Sequence, residues 1–163
     1  MLEEQSQMKQ LDKSWKIILL IWSAIFSSLG VYLIVCHAFG NQFQSGVGPN
    51  FPTAILKNIF LVVSIIILFT VRYLRGYLMR PGGSPLQPSQ VPSVQHSAIG
   101  KYTLATLITS ALLESIGIYG VVLFLLTKDN SLLYLFLIIS AAGMIYFRPR
   151  KDELSSLMAA MKV

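Results

Sequence analysis

The sequence predicts an all-α integral membrane protein: a bundle of four transmembrane helices, arranged as two hairpins, with the N- and C-termini cytoplasmic. Three observations carry that expectation. The chain of 163 residues is 54% hydrophobic and only 12% charged, against roughly 45–50% and 25% in soluble domains, and its mean hydropathy is +0.64. It contains four runs close to the roughly 20 apolar residues that a helix needs to cross a hydrocarbon layer about 30 Å thick. Its 13 Lys and Arg residues, which set a net charge of +6, collect at the ends of those runs.

Residues 1–14 are polar and lead into the first run, residues 15–38. That run is longer than the roughly 7–15 apolar residues of a signal-peptide core and no small-residue cleavage pattern follows it, so it reads as a helix. The segment HAFGNQFQSGVGPNFP, residues 37–52, mixes glycine, amides and aromatics and reads as an irregular outer loop. A second span covers residues 53–71. Residues 81–98 hold four of the seven prolines and almost no charge, which blocks helix and sheet alike and makes a cytoplasmic linker between the hairpins. The third span is residues 102–127, and the short fourth span, residues 131–147, should stand nearly upright. Residues 148–163 form a tail with Leu154, Leu157, Met158 and Met161 at helical spacing, expected to lie as an amphipathic helix on the cytoplasmic surface. All of this is one membrane domain, residues 1–163.

Orientation follows from the basic residues. Lys9, Lys13 and Lys16 precede the first span, Arg72, Arg75, Arg80 and Lys101 bracket the central linker, and Arg148, Arg150, Lys151 and Lys162 follow the fourth span. The other two loops carry only Lys57 and Lys128 at their edges. An excess of Lys and Arg marks cytoplasmic loops, so this distribution explains the positive charge without nucleic acid. The single cysteine, Cys36, excludes an intramolecular disulfide or a cysteine-built metal site. His37 has no second His, Asp or Cys nearby, and so neither a metal nor a cofactor is expected.

An internal repeat runs through the first and third spans. SAIFSSLGVYLIV, residues 23–35, aligns without gaps on SALLESIGIYGVV, residues 110–122, with serine, alanine, serine, glycine, tyrosine and valine recurring in place. Gly30 falls on Gly117, Tyr32 on Tyr119, and Ser27 on Glu114. Both spans start in the cytoplasm, so the halves form a parallel repeat.

Glu114 is the residue that calls for an explanation. It lies midway between Lys101 and Lys128, about 20 Å from each at 1.5 Å per residue, and therefore near the bilayer centre. An ionised carboxylate there is costly and should be protonated, paired or hydrated. Steps of three and four residues place Thr103, Thr106, Ser110, Glu114 and Gly117 on one stripe, with Leu107, Leu112, Ile116 and Leu123 opposite. Ser23, Ser27 and Gly30 make an equivalent stripe on the first span. Small residues let transmembrane backbones approach closely, so Ser23, Gly30, Gly117 and Gly120 are the expected packing positions, and Ser27 and Ser110 supply hydroxyls near the acid. Asn58 and Ser64 are the other buried polar candidates.

ESIGIYGVV, residues 114–122, resembles the ion-carrying helix of the proteolipid c subunit of rotary ATP synthases and vacuolar-type ATPases, where a buried carboxylate precedes a Gly-x-Tyr element. The resemblance implies that Glu114 binds a proton or cation, with Ser115 as a neighbouring ligand and Tyr119 bracing the site. The sequence departs from that family in having Leu113 rather than proline before the acid, and in having only Gly143 in the fourth span and Gly76 just past the end of the second. Over its whole length the chain resembles small bacterial four-helix membrane proteins of uncharacterised activity, whose third helix reads A-L-x-E-x-x-x-x-[YF]-G and whose fourth ends in R-P-x-K, here residues 111–120 and 148–151. The resulting expectation is a non-enzymatic, proteolipid-like subunit of a bacterial plasma membrane whose partners are the bilayer and either copies of itself or other membrane subunits. The competing expectation is a structural or assembly subunit in which Glu114 only packs. An enzyme is the least expected reading, because no His/Asp/Ser set or carboxylate pair occurs in the spans.

Overall fold

The structure, a computed structural model, describes residues 2–40, 42, 52–79 and 94–160. These form five helices and no strand: α1 (Leu2–Phe39), α2 (Thr53–Leu78), α3 (Val94–Thr127), α4 (Asn130–Tyr146) and α5 (Lys151–Ala160). Three stretches, Leu11–Phe39, Thr53–Leu78 and Ala98–Thr127, are long and apolar enough to cross a membrane. A fourth span is reached if α4 and α5, which meet at a 46° bend, are taken together. The reason is length: the 17 residues of α4 rise about 26 Å, just short of the roughly 30 Å hydrocarbon layer.

Helix ends depart from the expected spans in physically simple ways. Polar residues ahead of residue 15 continue α1 without a break. The second helix runs past residue 71 through the helix-compatible Arg72 and Arg75. The third starts at Val94, two positions beyond Pro92, where no further proline obstructs it. Residues 81–93 of the expected linker, most of the outer loop and the last three residues of the tail lie outside the described residues. Between α3 and α4 the turn takes only two residues. Lys128 adopts a left-handed φ of 59°, and Asp129 caps α4 by accepting a hydrogen bond from the Ser131 backbone N–H at 2.8 Å.

α3 is the central element, packed on α1, α2, α4 and α5. The face expected to point away from the packing surface is therefore corrected: Ile116 and Leu123 are fully buried, Leu112 is half-buried, and only Leu107 is exposed. Tyr119 from this side stacks on Phe60 of α2 at 4.8 Å between ring centres. In a bilayer an apolar residue facing lipid and one facing protein look alike, so apolar character alone does not separate the two.

The tail is also corrected. Leu154 and Leu157 of α5 are buried against Ile18 of α1 and Ala98 and Tyr102 of α3, with Trp15 and Met79 alongside. The amphipathic face expected on the membrane surface packs on the protein instead. Polar groups secure it: Arg75 Nη2 donates to Glu153 Oε2 at 2.6 Å, Arg75 Nη1 donates to the Phe147 carbonyl, and Lys151 pairs with Asp12.

α1 and α3 run parallel in a constant register. Ser28 and Tyr32 reach Glu114, and Lys128 reaches Gly40, across sequence separations of 86, 82 and 88 residues. The internal repeat pairs residues at nearly the same separation, so its two copies lie side by side at equal depth.

Candidate functional site

Glu114 sits half-buried on α3 where that helix meets α1. Its Oε1 accepts hydrogen bonds from Ser28 Oγ at 2.5 Å and Tyr32 Oη at 2.7 Å. Two hydroxyls of one helix thus converge on a single oxygen of an acid carried by another. Ser28 and Tyr32 are four residues apart and project from the same side of α1.

A count of hydrogens shows what this arrangement accommodates. Ser28 Oγ lies 2.5 Å from Glu114 Oε1 and also 2.6 Å from the Ile25 carbonyl, yet a serine hydroxyl has one proton to donate. If Glu114 is ionised, one of these two short contacts has no hydrogen between its oxygens. When Glu114 carries a proton on Oε1, that O–H donates to Ser28 Oγ, Ser28 donates to Ile25, and Tyr32 donates to Oε1. Each of these three contacts then holds one hydrogen, and Oε2 has no hydrogen-bond partner among the described residues.

The residues expected around the acid are placed differently. Ser27 is level with Glu114 but exposed, and its hydroxyl donates to the Ser23 carbonyl at 2.8 Å. The correction is one of rotation, because each residue turns about 100° around a helix, and the face toward α3 carries Ser28. Ser115 donates to the Leu112 carbonyl at 2.7 Å, and Tyr119 is held against Phe60, so neither reaches the acid. Tyr32, aligned with Tyr119 in the repeat, braces Glu114 in its stead. Ser110 is buried one turn below Glu114.

Of the four packing positions, two lie in tight contact. A Cβ added to Gly117 would come within 2.7 Å of Leu29 Cδ2 and 3.4 Å of Leu137 Cδ2, and one on Gly120 within 2.8 Å of Phe136 Cβ and 3.2 Å of the Leu133 carbonyl. Gly30 has no atom within 4 Å of such a Cβ and Ser23 is exposed, so among the described residues the stripe on α1 is not a contact surface. Asn58 is exposed, and Ser64 is buried and donates to the Phe60 carbonyl.

Sequence reasoning missed Ser28 and Tyr32 as partners of the acid. The signal for them was present in the adjacent serines of the repeat and in its tyrosine, once read one residue further round the helix. It also missed Ser140, whose buried hydroxyl crosses from α4 to the Leu113 carbonyl at 2.7 Å. No group of three or more His, Cys, Asp or Glu suited to a metal occurs among the described residues. Comparison with protein-family models, curated proteins and solved structures finds no match to this chain.

Proposed function

We propose that this is a non-enzymatic subunit of a bacterial plasma membrane in which Glu114 binds and releases a proton within the bilayer. The convergence of two α1 hydroxyls, Ser28 and Tyr32, on one oxygen of an acid in the middle of an apolar span carries this reading. The resemblance of residues 114–122 to proteolipid ion-carrying helices supports it from the sequence side. With α4 as a fourth span, both ends of the chain are cytoplasmic. The parallel course of α1 and α3 and the packing of α5 on their N-terminal ends support that topology.

One observation favours a second reading. Both hydrogen bonds to Glu114 come from α1, which is also how an acid would act if its task were only to hold two helices together.

A carbodiimide, which attacks protonated carboxyl groups in apolar surroundings, separates the two. Mass mapping should find modification at Glu114, faster at low pH than at high pH and absent in Glu114→Gln. A native Glu114 that stays inert from about pH 5 to 9 would leave the brace as the correct account.

A further inference from the structure

We propose that Lys101 holds the phosphate of an anionic phospholipid headgroup at the α5 end of the bundle, where α3 faces α2. This goes beyond the reading of Glu114 and does not depend on it. Lys101 is only 7% exposed, yet its ammonium makes no hydrogen bond or ion pair with any described residue. A cation taken out of water is costly unless it is paired. The carboxylates at this end do not supply the partner: Glu153 pairs with Arg75, Asp12 pairs with Lys151, and Asp152 is exposed on α5.

Helix geometry shows which way Lys101 faces. It precedes Tyr119 by about five whole turns at roughly 3.6 residues per turn, so the two share a face of α3, and Tyr119 stacks on Phe60 of α2. α2 runs antiparallel to α3, since Phe60 meets Tyr119 and Arg75 shares Glu153 with Tyr102. The same distance along α2 from Phe60 leads to Leu78, which is buried, with buried Arg75 one turn away. Two buried cations therefore lie on the facing sides of α2 and α3, and the one carboxylate bonded there, Glu153, is taken by Arg75. The fully buried nitrogens and oxygens left unpaired among the described side chains are Trp22 Nε1 and Thr106 Oγ1. Lys101 Nζ is not one of them, so its stem is sheathed and the unpaired ammonium is the part that reaches the surface.

That surface lies at headgroup depth. The apolar stretch Ala98–Thr127 has 30 residues and rises about 45 Å, matching a bilayer with its polar interfacial layers, about 40–45 Å. Lys101 is one turn from the end of this stretch. A phosphate there accepts from the N–H donors of the ammonium, and a headgroup is already held at that depth by its acyl chains. The exposed cations Lys16, Arg72, Arg148 and Arg150 at the same end add attraction for an anionic lipid.

Mass spectrometry of the intact full chain in detergent tests this, with phosphatidylglycerol and phosphatidylcholine of the same acyl chains as probes. The native protein should keep a first phosphatidylglycerol adduct under conditions that strip phosphatidylcholine. Lys101→Met, which preserves the stem, should weaken that adduct by about tenfold, the scale of one hydrogen bond to a charged group, while Lys101→Arg retains it and Lys16→Met stays near native. Equal retention of the two lipids by the native protein, or an undiminished adduct in Lys101→Met, overturns the proposal. Thermal unfolding gives a second readout with a polar replacement: phosphatidylglycerol should raise the midpoint of the native protein but not of Lys101→Gln, whereas phosphatidylcholine and inorganic phosphate raise neither. A rise of equal size in Lys101→Gln overturns the site, and a rise with inorganic phosphate alone overturns its lipid source. Glu114→Gln should bind phosphatidylglycerol as the native protein does, so this site and the proton reading fail separately.

Discussion

At the scale of single residues, Glu114 is held by two hydroxyls of α1. Hydrogen bonds between transmembrane helices average about 0.6 kcal/mol and reach about 1.7 kcal/mol, and Oε1 of this acid takes part in two. Tyr32→Phe removes one donor while keeping the ring, so it should lower stability in detergent unfolding by about 0.6–1.7 kcal/mol. Ser27→Ala, at the same depth on α1, removes only a hydroxyl bonded to its own helix at Ser23. Its effect should stay within about 0.5 kcal/mol. Equal losses in the two variants would mean that the α1 face toward Glu114 is misassigned.

At the scale of elements, close approach is concentrated on α3. Gly117 is the point where Leu29 of α1 and Leu137 of α4 both come against the backbone, whereas Gly30 of α1 opens outward. Gly117→Leu should therefore destabilise the fold or stop its accumulation, with an overpacking cost of about 1–3 kcal/mol or more, while Gly30→Leu leaves expression and unfolding near native. Membrane insertion and thermal unfolding of the two variants check this, and comparable damage at both positions would contradict it. These two glycines also show what sequence could reveal. They align in the repeat and share a depth, so Gly117 and Gly30 looked equivalent, and the helical runs, the acid within the third span and the small stripe on α3 were all legible. What hydropathy does not record is which arc of a helix meets protein rather than lipid. Gly30, Ser27 and Ser23 lie on the outward arc, and Ser28 and Tyr32 on the inward one.

At the scale of the molecule, one end is tied together by polar contacts that no periodicity announces. Arg75 of α2, Tyr102 of α3, the Phe147 carbonyl at the end of α4 and Glu153 of α5 meet in one cluster, which Tyr102 joins to the apolar contact of Leu154 and Leu157 with Ile18. The basic residues read from sequence as topology signals include this Arg75, which is also a buried structural cation. The proposed topology places α5 in the cytoplasm and the turn at Asp129 outside. In a background lacking Cys36, cysteines introduced one at a time at Ser155 and Asp129, both exposed, should label oppositely with an impermeant thiol reagent on intact cells. Reaction at position 155 from outside would reverse the orientation.

The central claim, that Glu114 exchanges a proton while held by Ser28 and Tyr32, is tested most directly by infrared titration of the purified protein. The carboxylic acid carbonyl band lost in Glu114→Gln should be present at low pH, disappear reversibly as pH rises, and shift in Tyr32→Phe as one hydrogen bond is removed. A Glu114 band that never changes over the whole pH range in which the protein stays folded, whether acid or carboxylate, would contradict proton exchange and leave a fixed structural group.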